Sequence, residues 1–349
     1  MAKKSKTKKI LLAGAALIVV AGAAAALTAY STLFTPNIVT QNGEKCKLYI
    51  QPSAGLDDVV DSLKASGALK NESTFRLTAK LKHYGEHVKA GYYEIGNGTS
   101  NFDLLRKLAA GNQTPVKLTF NNIRTVEDLA GRLSRTLQFD STTALATLKD
   151  KTLLGEYGVD TCNAIALFIP NTYEVYWDVK PEKLLQRMKH EYDSFWNDSR
   201  KLKLASTGLT QLQVSTLASI VEEETIKADE QPVVAGLYLN RYRTGMKLES
   251  DPTVKFAVGD FSIRRVLNKH LETDSPYNTY KYAGLPPGPI RIPSISALNA
   301  VLNYKQHDYI YMCAKEDFSG YHNFATTLQQ HLQNAQKYQR KLNELKIMK

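Results

Sequence analysis

The sequence predicts an α+β protein in three parts: an N-terminal transmembrane helix, a small α+β module and a larger α+β domain. Residues 10–30 hold no charged side chain, short strand-like runs alternate with helical spacing up to about residue 115, and dense polar motifs gather after residue 209. With 349 residues, 43% hydrophobic and 23% charged, the chain has the balance of a folded protein with length for roughly two domains.

The first part reads MAKKSKTKKILLAGAALIVVAGAAAALTAY. At about 1.5 Å per residue, the uncharged run 10–30 is long enough to cross the hydrocarbon core of a bilayer. Lys3, Lys4, Lys6, Lys8 and Lys9 precede it, so residues 1–9 form a cytoplasmic tail and the body lies on the far side. That places the protein in the inner (cytoplasmic) membrane as a single-pass chain, its main domains periplasmic or extracytoplasmic. A cleaved signal peptide is the alternative, because Ala25 to Ala29 supplies small residues. The apolar run is longer than such a peptide requires. Residues 31–44 form a polar linker.

The formal net charge is +11, and the tail supplies five of those positives, leaving the rest only mildly basic. No basic face or nucleic-acid module follows, so nucleic acid is not an expected partner. Cys46, Cys162 and Cys313 are scattered without a CxxC, which signals neither a metal nor a disulfide framework. His83 and His87 are four apart, a spacing that would put both on one helix face. With no third ligand or suitably placed glutamate they read as surface histidines. No cofactor or metal site is expected.

Residues 45–115 read as strand, turn and helix. Lys47 to Ile50 is strand-like, Ser53-Ala54-Gly55 is a break, and Leu56, Val59, Val60 and Leu63 keep helical spacing. A second helix follows around Ser73 to His83, then the strand and turn GYYEIGNG. SNFDLLRKLAAG has a cap at Ser100 or Asn101 and a stop at Gly111. This unit resembles a LysM-like module, which implies binding to glycan strands; a structural spacer is the alternative.

The larger domain, 116–349, opens with a strand at Val116 to Phe120 and a helix capped near Thr125. A loop around Pro170-Asn171 leads to a long helix from Pro181, and the polar stretch after Thr326 reads as a last packed helix. The pivotal segment is LASIVEEET, residues 217–225. At 100° per residue, Leu217, Ile220 and Val221 mark the apolar face. Glu224 falls in its middle, Glu222 to one side, and Glu223 nearly opposite, as the solvated one. Burial would disfavour the charged form of Glu224 and raise its pKa, as a general acid requires. From the wheel alone, a buried ion pair with an arginine such as Arg241 is the reading to beat. Pro232 allows a new helix, VVAGLYLNRYRTGM, whose Asn240 and Arg241 return toward the same place.

LASIVEEET, VVAGLYLNRYRTGMKLESDPTV, SPYNTYKYAGLPPGPIRIPS and HNFATTLQQH together resemble the endolytic murein transglycosylases (the YceG-like family). The resemblance covers essentially the whole exported chain. It implies a membrane-anchored lyase that cleaves the bond between N-acetylmuramic acid and N-acetylglucosamine in peptidoglycan, leaving 1,6-anhydro ends and terminating nascent strands. Wall synthases are the partners it implies. It carries the catalytic role to Glu224, with Glu222 shaping the site. Asp251 is expected to bond sugar hydroxyls or orient Arg241, in an extended or turn position before Pro252. Tyr277, Asn278, Thr279 and Tyr280 suit sugar stacking and acetamido bonding, and the loop 284–288 would wall the cleft. His322 and Phe324 match the family's last motif, whereas Ala325, Thr327 and Leu332 stand where amides are expected. Asn171 replaces a common aspartate, and Gln231 a basic residue. The competing readings are a non-catalytic glycan-binding scaffold and a hydrolase that pairs Glu222 with Glu224.

Overall fold

The computed structural model describes residues 2–40, 43–120 and 122–345. Met1 of the tail, Gln41 and Asn42 of the linker, Asn121 and residues 346–349 lie outside them. In chain order the elements are α1 Ala2–Phe34, β1 Cys46–Ile50, α2 Leu56–Ala65, α3 Glu72–Leu81, β2 Gly91–Ile95, α4 Asn101–Ala110 and β3 Val116–Thr119. There follow α5 Val126–Ser134, α6 Ser141–Leu148, α7 Lys151–Glu156, β4 Thr172–Val175, α8 Pro181–Phe195, α9 Asp198–Thr207 and α10 Gln211–Glu224. The chain ends with α11 Gln231–Arg243, α12 Asp251–Val258, α13 Asn268–Leu271, α14 Ile295–Leu302, β5 Tyr311–Ala314, β6 His322–Ala325 and α15 Leu328–Glu344.

The chain divides into two compact units. The first is Met1–Lys117 with Thr136–Gln138 and Glu174–Val179; the second is Leu118–Arg135, Phe139–Tyr173 and Lys180–Lys349. The two short returns belong to the first unit because Gln138 N–H donates to Trp177 O at 2.9 Å and the Trp177 ring meets Tyr49 edge-on.

In the first unit, α1 carries an apolar span over Lys8–Phe34. It runs four residues past Tyr30, into the expected linker, since nothing in Ser31-Thr32-Leu33-Phe34 breaks a helix before Pro36. Beyond it the order is strand, helix, helix, strand, with β1 and β2 antiparallel from Cys46 opposite Ile95 to Ile50 opposite Gly91. Leu48 and Ile50 face inward onto Val60, Leu63, Phe75 and Leu105, while Lys47 and Tyr49 face out. Two of its helix starts carry a side-chain cap. Asn71 accepts from Thr74 N at 3.0 Å, and Ser100 from Asp103 N at 3.2 Å. Gly111, at φ 72°, ends α4 in the left-handed region that glycine adopts without steric cost. His83 does not share a helix with His87: it follows α3 with φ 53° and opens a 3-10 turn.

The second unit is built around α10. Every residue from Val214 to Val221 is buried, including Ser215, Thr216 and Ser219, because α11, α12 and α14 all pack against this helix. Its start is a capping box, Thr210 with Gln213. Beside it stands a two-stranded ribbon, β5 with β6, running antiparallel from Tyr311 opposite Ala325 to Ala314 opposite His322. α15 lies against that ribbon.

Candidate active site

A cleft of about 380 Å³ opens beside the C-terminal end of α10. Glu224, Tyr238, Arg241, Glu249, Asp251, Tyr280, His322 and His331 give its polar lining, with Leu237, Leu248, Met312, Cys313 and Leu328 among the rest. The floor comes from α10 and α11, one side from the 248–251 segment and Tyr280, and the other from the ribbon and α15.

Glu224 is the last residue of α10, which turns extended at Thr225. Its carboxylate meets two hydroxyls at one oxygen: Tyr238 donates to Oε1 at 2.6 Å and Ser250 at 2.5 Å. Among the described residues no arginine or lysine pairs with it, so the ion pair with Arg241 is not formed. Burial raises the Glu224 pKa above the ordinary carboxylate value, and the negative charge of Asp251 adds to that; the two donated hydrogen bonds oppose it. A carboxyl that is desolvated, faces another carboxylate and has no arginine or lysine partner is one that holds its proton to higher pH, with His322 opposing that only weakly.

The other two glutamates do different work. Glu223 is not solvated. It accepts from Arg291 Nη1 at 2.5 Å and Arg124 Nη2 at 3.0 Å, and its side chain is 16% exposed. The wheel misjudged it because it assumes a solvent face, whereas residues 214–221 of α10 are buried all round. Glu222 accepts from Ser294 N at 2.7 Å and lies 3.8 Å from Arg291. Ser294 is the N-cap of α14, so Glu222 secures the start of that helix rather than the cleft.

Arg241 reaches the cleft wall, and its contacts are structural on three sides. Nε donates to Ile310 O at 2.6 Å; Nη1 reaches Lys247 O at 3.0 Å, Leu248 O at 3.1 Å and Glu249 Oε2 at 2.9 Å. Asn240 does not face the cleft; its amide holds the carbonyls of His307 and Tyr309 at 2.6 and 3.1 Å. Asp251 is not extended. It is the first residue of α12, and Ser250 before it carries the extended backbone, φ −93° and ψ 119°. This is the ordinary entry of a helix with proline in its first turn. Asp251 Oδ1 accepts from Tyr280 OH at 2.7 Å. Arg241 is oriented by Glu249 instead.

Of the four residues 277–280, Tyr280 alone lines the cleft. Asn278 is fully buried and spends its amide on Leu271 O and Thr273 O, at 2.8 and 2.9 Å. Thr279, also buried, accepts from Ser250 N at 3.0 Å and lies 2.7 Å from Thr253 Oγ1. Tyr277 packs on Phe256 with ring centroids 4.6 Å apart. The motif therefore builds the turn that sets Ser250, which in turn holds Glu224. The loop 284–288 does not wall the cleft. Gly288 sits so close to the Cys162 backbone that a Cβ there would come within 2.0 Å of its carbonyl oxygen, and Ile290 N donates to Ser219 Oγ of α10 at 3.0 Å. This loop braces the glutamate helix from behind.

His322 stands in β6 with its backbone N–H on Glu230 Oε1 at 2.7 Å and its Nδ1 at 2.9 Å from Glu230 Oε2. Glu230 is buried, so the pair fixes the imidazole ring and leaves Nε2 free of that partner. His331 stacks on Tyr311 at 5.3 Å; burial first, and then the charge of Arg241, lower its pKa. Among the motif's departures, Ala325 is buried opposite Tyr311, Thr327 caps α15, and Leu332 is exposed. Asn171 Oδ1 accepts from Thr172 N at 2.8 Å, and Gln231 Nε2 donates to Thr225 O at 3.2 Å.

Tyr238, Ser250, Glu230, Glu249 and His331 went unnoticed as site residues in the sequence. Ser250 had the clearest signal, a serine directly before Asp-Pro at a helix start.

The YceG-like family model matches residues 48–337. The chain is 27% identical over 311 residues to an endolytic murein transglycosylase of Bacillus subtilis (strain 168), covering 84% of this chain and 85% of that protein. It is 28% identical over 295 residues to the endolytic murein transglycosylase of Streptococcus pneumoniae serotype 2, covering 76% of this chain and about half, 53%, of that longer protein. The crystal structure of a yceG-like protein from Listeria monocytogenes superposes with a TM-score of 0.55 and 26% identity, over 84% of this chain and 99% of that one.

Proposed function

The chain belongs to the YceG-like family, and from that premise we propose that it is an endolytic lytic transglycosylase of peptidoglycan, anchored in the inner membrane by α1. The observation that carries the proposal is Glu224: a desolvated carboxyl with a raised pKa, no arginine or lysine partner among the described residues, and one oxygen fixed by Tyr238 and Ser250. Those bonds leave Oε2 for the reacting atoms.

Protonated Glu224 gives its proton to the oxygen joining N-acetylmuramic acid to N-acetylglucosamine, and the C1–O bond breaks. Asp251, in the same cleft, is placed to face the oxocarbenium-like charge that develops at C1. Glu224, now a carboxylate, takes the proton of the muramic C6 hydroxyl while that oxygen bonds to C1. The products are a free N-acetylglucosamine 4-hydroxyl and a 1,6-anhydro end. No water is consumed, so a single carboxyl returns to its starting state, unlike the two-carboxylate scheme of hydrolases. Glu222 is a poor second catalyst, since the start of α14 occupies it. Tyr280 and His322 are the side chains we assign to holding the sugar.

The strand–helix–helix–strand order of the first unit supports reading it as a LysM-like glycan-binding module. Together with the anchor it would hold the chain on nascent strands, so that cleavage sets their length.

The test is mass analysis of soluble fragments released from purified peptidoglycan by the full chain and by Glu224→Gln. Anhydro ends from the wild type and none from the variant are expected. Hydrated ends, one water heavier, would make it a hydrolase. Activity surviving in Glu224→Gln would move the acid elsewhere, and sacculus binding without new chain ends would leave a scaffold.

A further inference from the structure

We infer that one face of the first unit, the exposed side of α3 with the end of α1, rests on the membrane surface and binds phosphate-bearing lipid headgroups. The inference depends on the reading of α1 as a membrane anchor. Residues 10–30 account for about 30 Å of helix, the thickness of the hydrocarbon core, so Phe34 lies at most about 6 Å further out, within the headgroup layer. Whatever touches residues 32–34 is held at that depth.

Two contacts do so. The Asn101 amide donates to Thr32 O at 2.9 Å and to Thr74 Oγ1 at 3.1 Å. The Phe34 ring packs on Phe102 at 5.1 Å, and Lys82 Nζ lies 3.8 Å from the Phe102 centroid. The end of α1 therefore packs directly on α3 and α4, which keeps this side of the unit close to where the helix leaves the bilayer. From Thr74 the same side of α3 continues through Leu77 and Leu81, one helical turn apart. These leucines are 51% and 64% exposed, and Phe34 at the end of α1 is 43% exposed. Lys80 and Lys82 are exposed at the same end of the helix. Apolar side chains flanked by lysines, at headgroup depth, match the acyl boundary and the phosphates above it. The outward face of β1, with Lys47, lies across the core from these helices and points away from the bilayer.

The full chain in vesicles of phosphatidylglycerol and phosphatidylethanolamine, carrying a benzophenone amino acid in place of Leu81, Lys47 or Val19, tests this by mass analysis of lipid adducts after irradiation. Adducts are expected from positions 19 and 81, with position 47 at least about fivefold lower, and Lys82→Glu should cut the yield at 81 by about fivefold. Adducts at 19 with position 81 no better than 47 would overturn the surface and leave the anchor standing. No adduct at 19 would overturn the anchor, and the surface with it.

Discussion

Ser250 Oγ donates to Glu224 Oε1 at 2.5 Å across 26 residues of chain, and this bond is where the helix-entry motif and the candidate acid meet. A hydroxyl donated to a carboxylate favours the charged form, so the bond works against the burial that raises the Glu224 pKa. Removing it should let burial act further.

The pH profile of kcat/KM should fall on the alkaline side as Glu224 loses its proton, with the limb above the ordinary carboxylate value of 4.5. In Ser250→Ala and Tyr238→Phe that limb should move to higher pH, with rates at the optimum lower by about tenfold. A limb that stays in place in both variants would detach Glu224 from the profile.

Glu224→Gln should be more stable than the wild type near neutral pH. The folded-state pKa is raised, so stability from the protonated form is complete below pH 4.5 and falls as pH rises through the folded value. The glutamine lacks that loss. Thermal melts at pH 4 and pH 7.5 should converge at the lower pH and separate at the higher one.

Thr279→Val removes the acceptor of the buried Ser250 N–H, at a cost of about 1–3 kcal/mol. It should lower kcat with KM nearly unchanged, because Thr279 acts through Ser250. A change in KM alone would return Thr279 to sugar binding.

Glu223→Gln should cost roughly 1–3 kcal/mol, between the values for surface and buried pairs, since Arg124 and Arg291 both lose a partner. Denaturant unfolding measures that. Anhydro product should still form, which separates this variant from Glu224→Gln.

Local signals in the sequence were reliable where one side chain makes its own case. Ser100, Thr125 and Gly111 each act on backbone within four residues, and each can be read directly, whereas the cap at Asn71 lies two residues before the helix start expected at Ser73. The 100° wheel placed Glu224 on the packed side yet put Glu223 in water, because periodicity assumes one buried and one solvent face, whereas residues 214–221 of α10 are buried all round. Asn278 and Thr279 look like ligand-binding residues by type. Their partners, Leu271, Thr273 and Ser250, are set by tertiary folding, which no spacing rule supplies. Glu230 and His322 lie 92 residues apart, beyond the reach of any local pattern.

Arg241 gives the cleft a mechanical character. One planar guanidinium ties α11 to the 247–249 segment and to the strand that begins at Tyr311, so three walls share a single keystone. A lysine there, a point charge on a flexible stem, would hold one wall at a time. The spacing between walls is thus a fixed dimension of the enzyme, and the choice of strand is left to the rim. Redesign for a different sugar polymer should begin at Met312 and Leu328, cleft-lining side chains that do not bond the arginine.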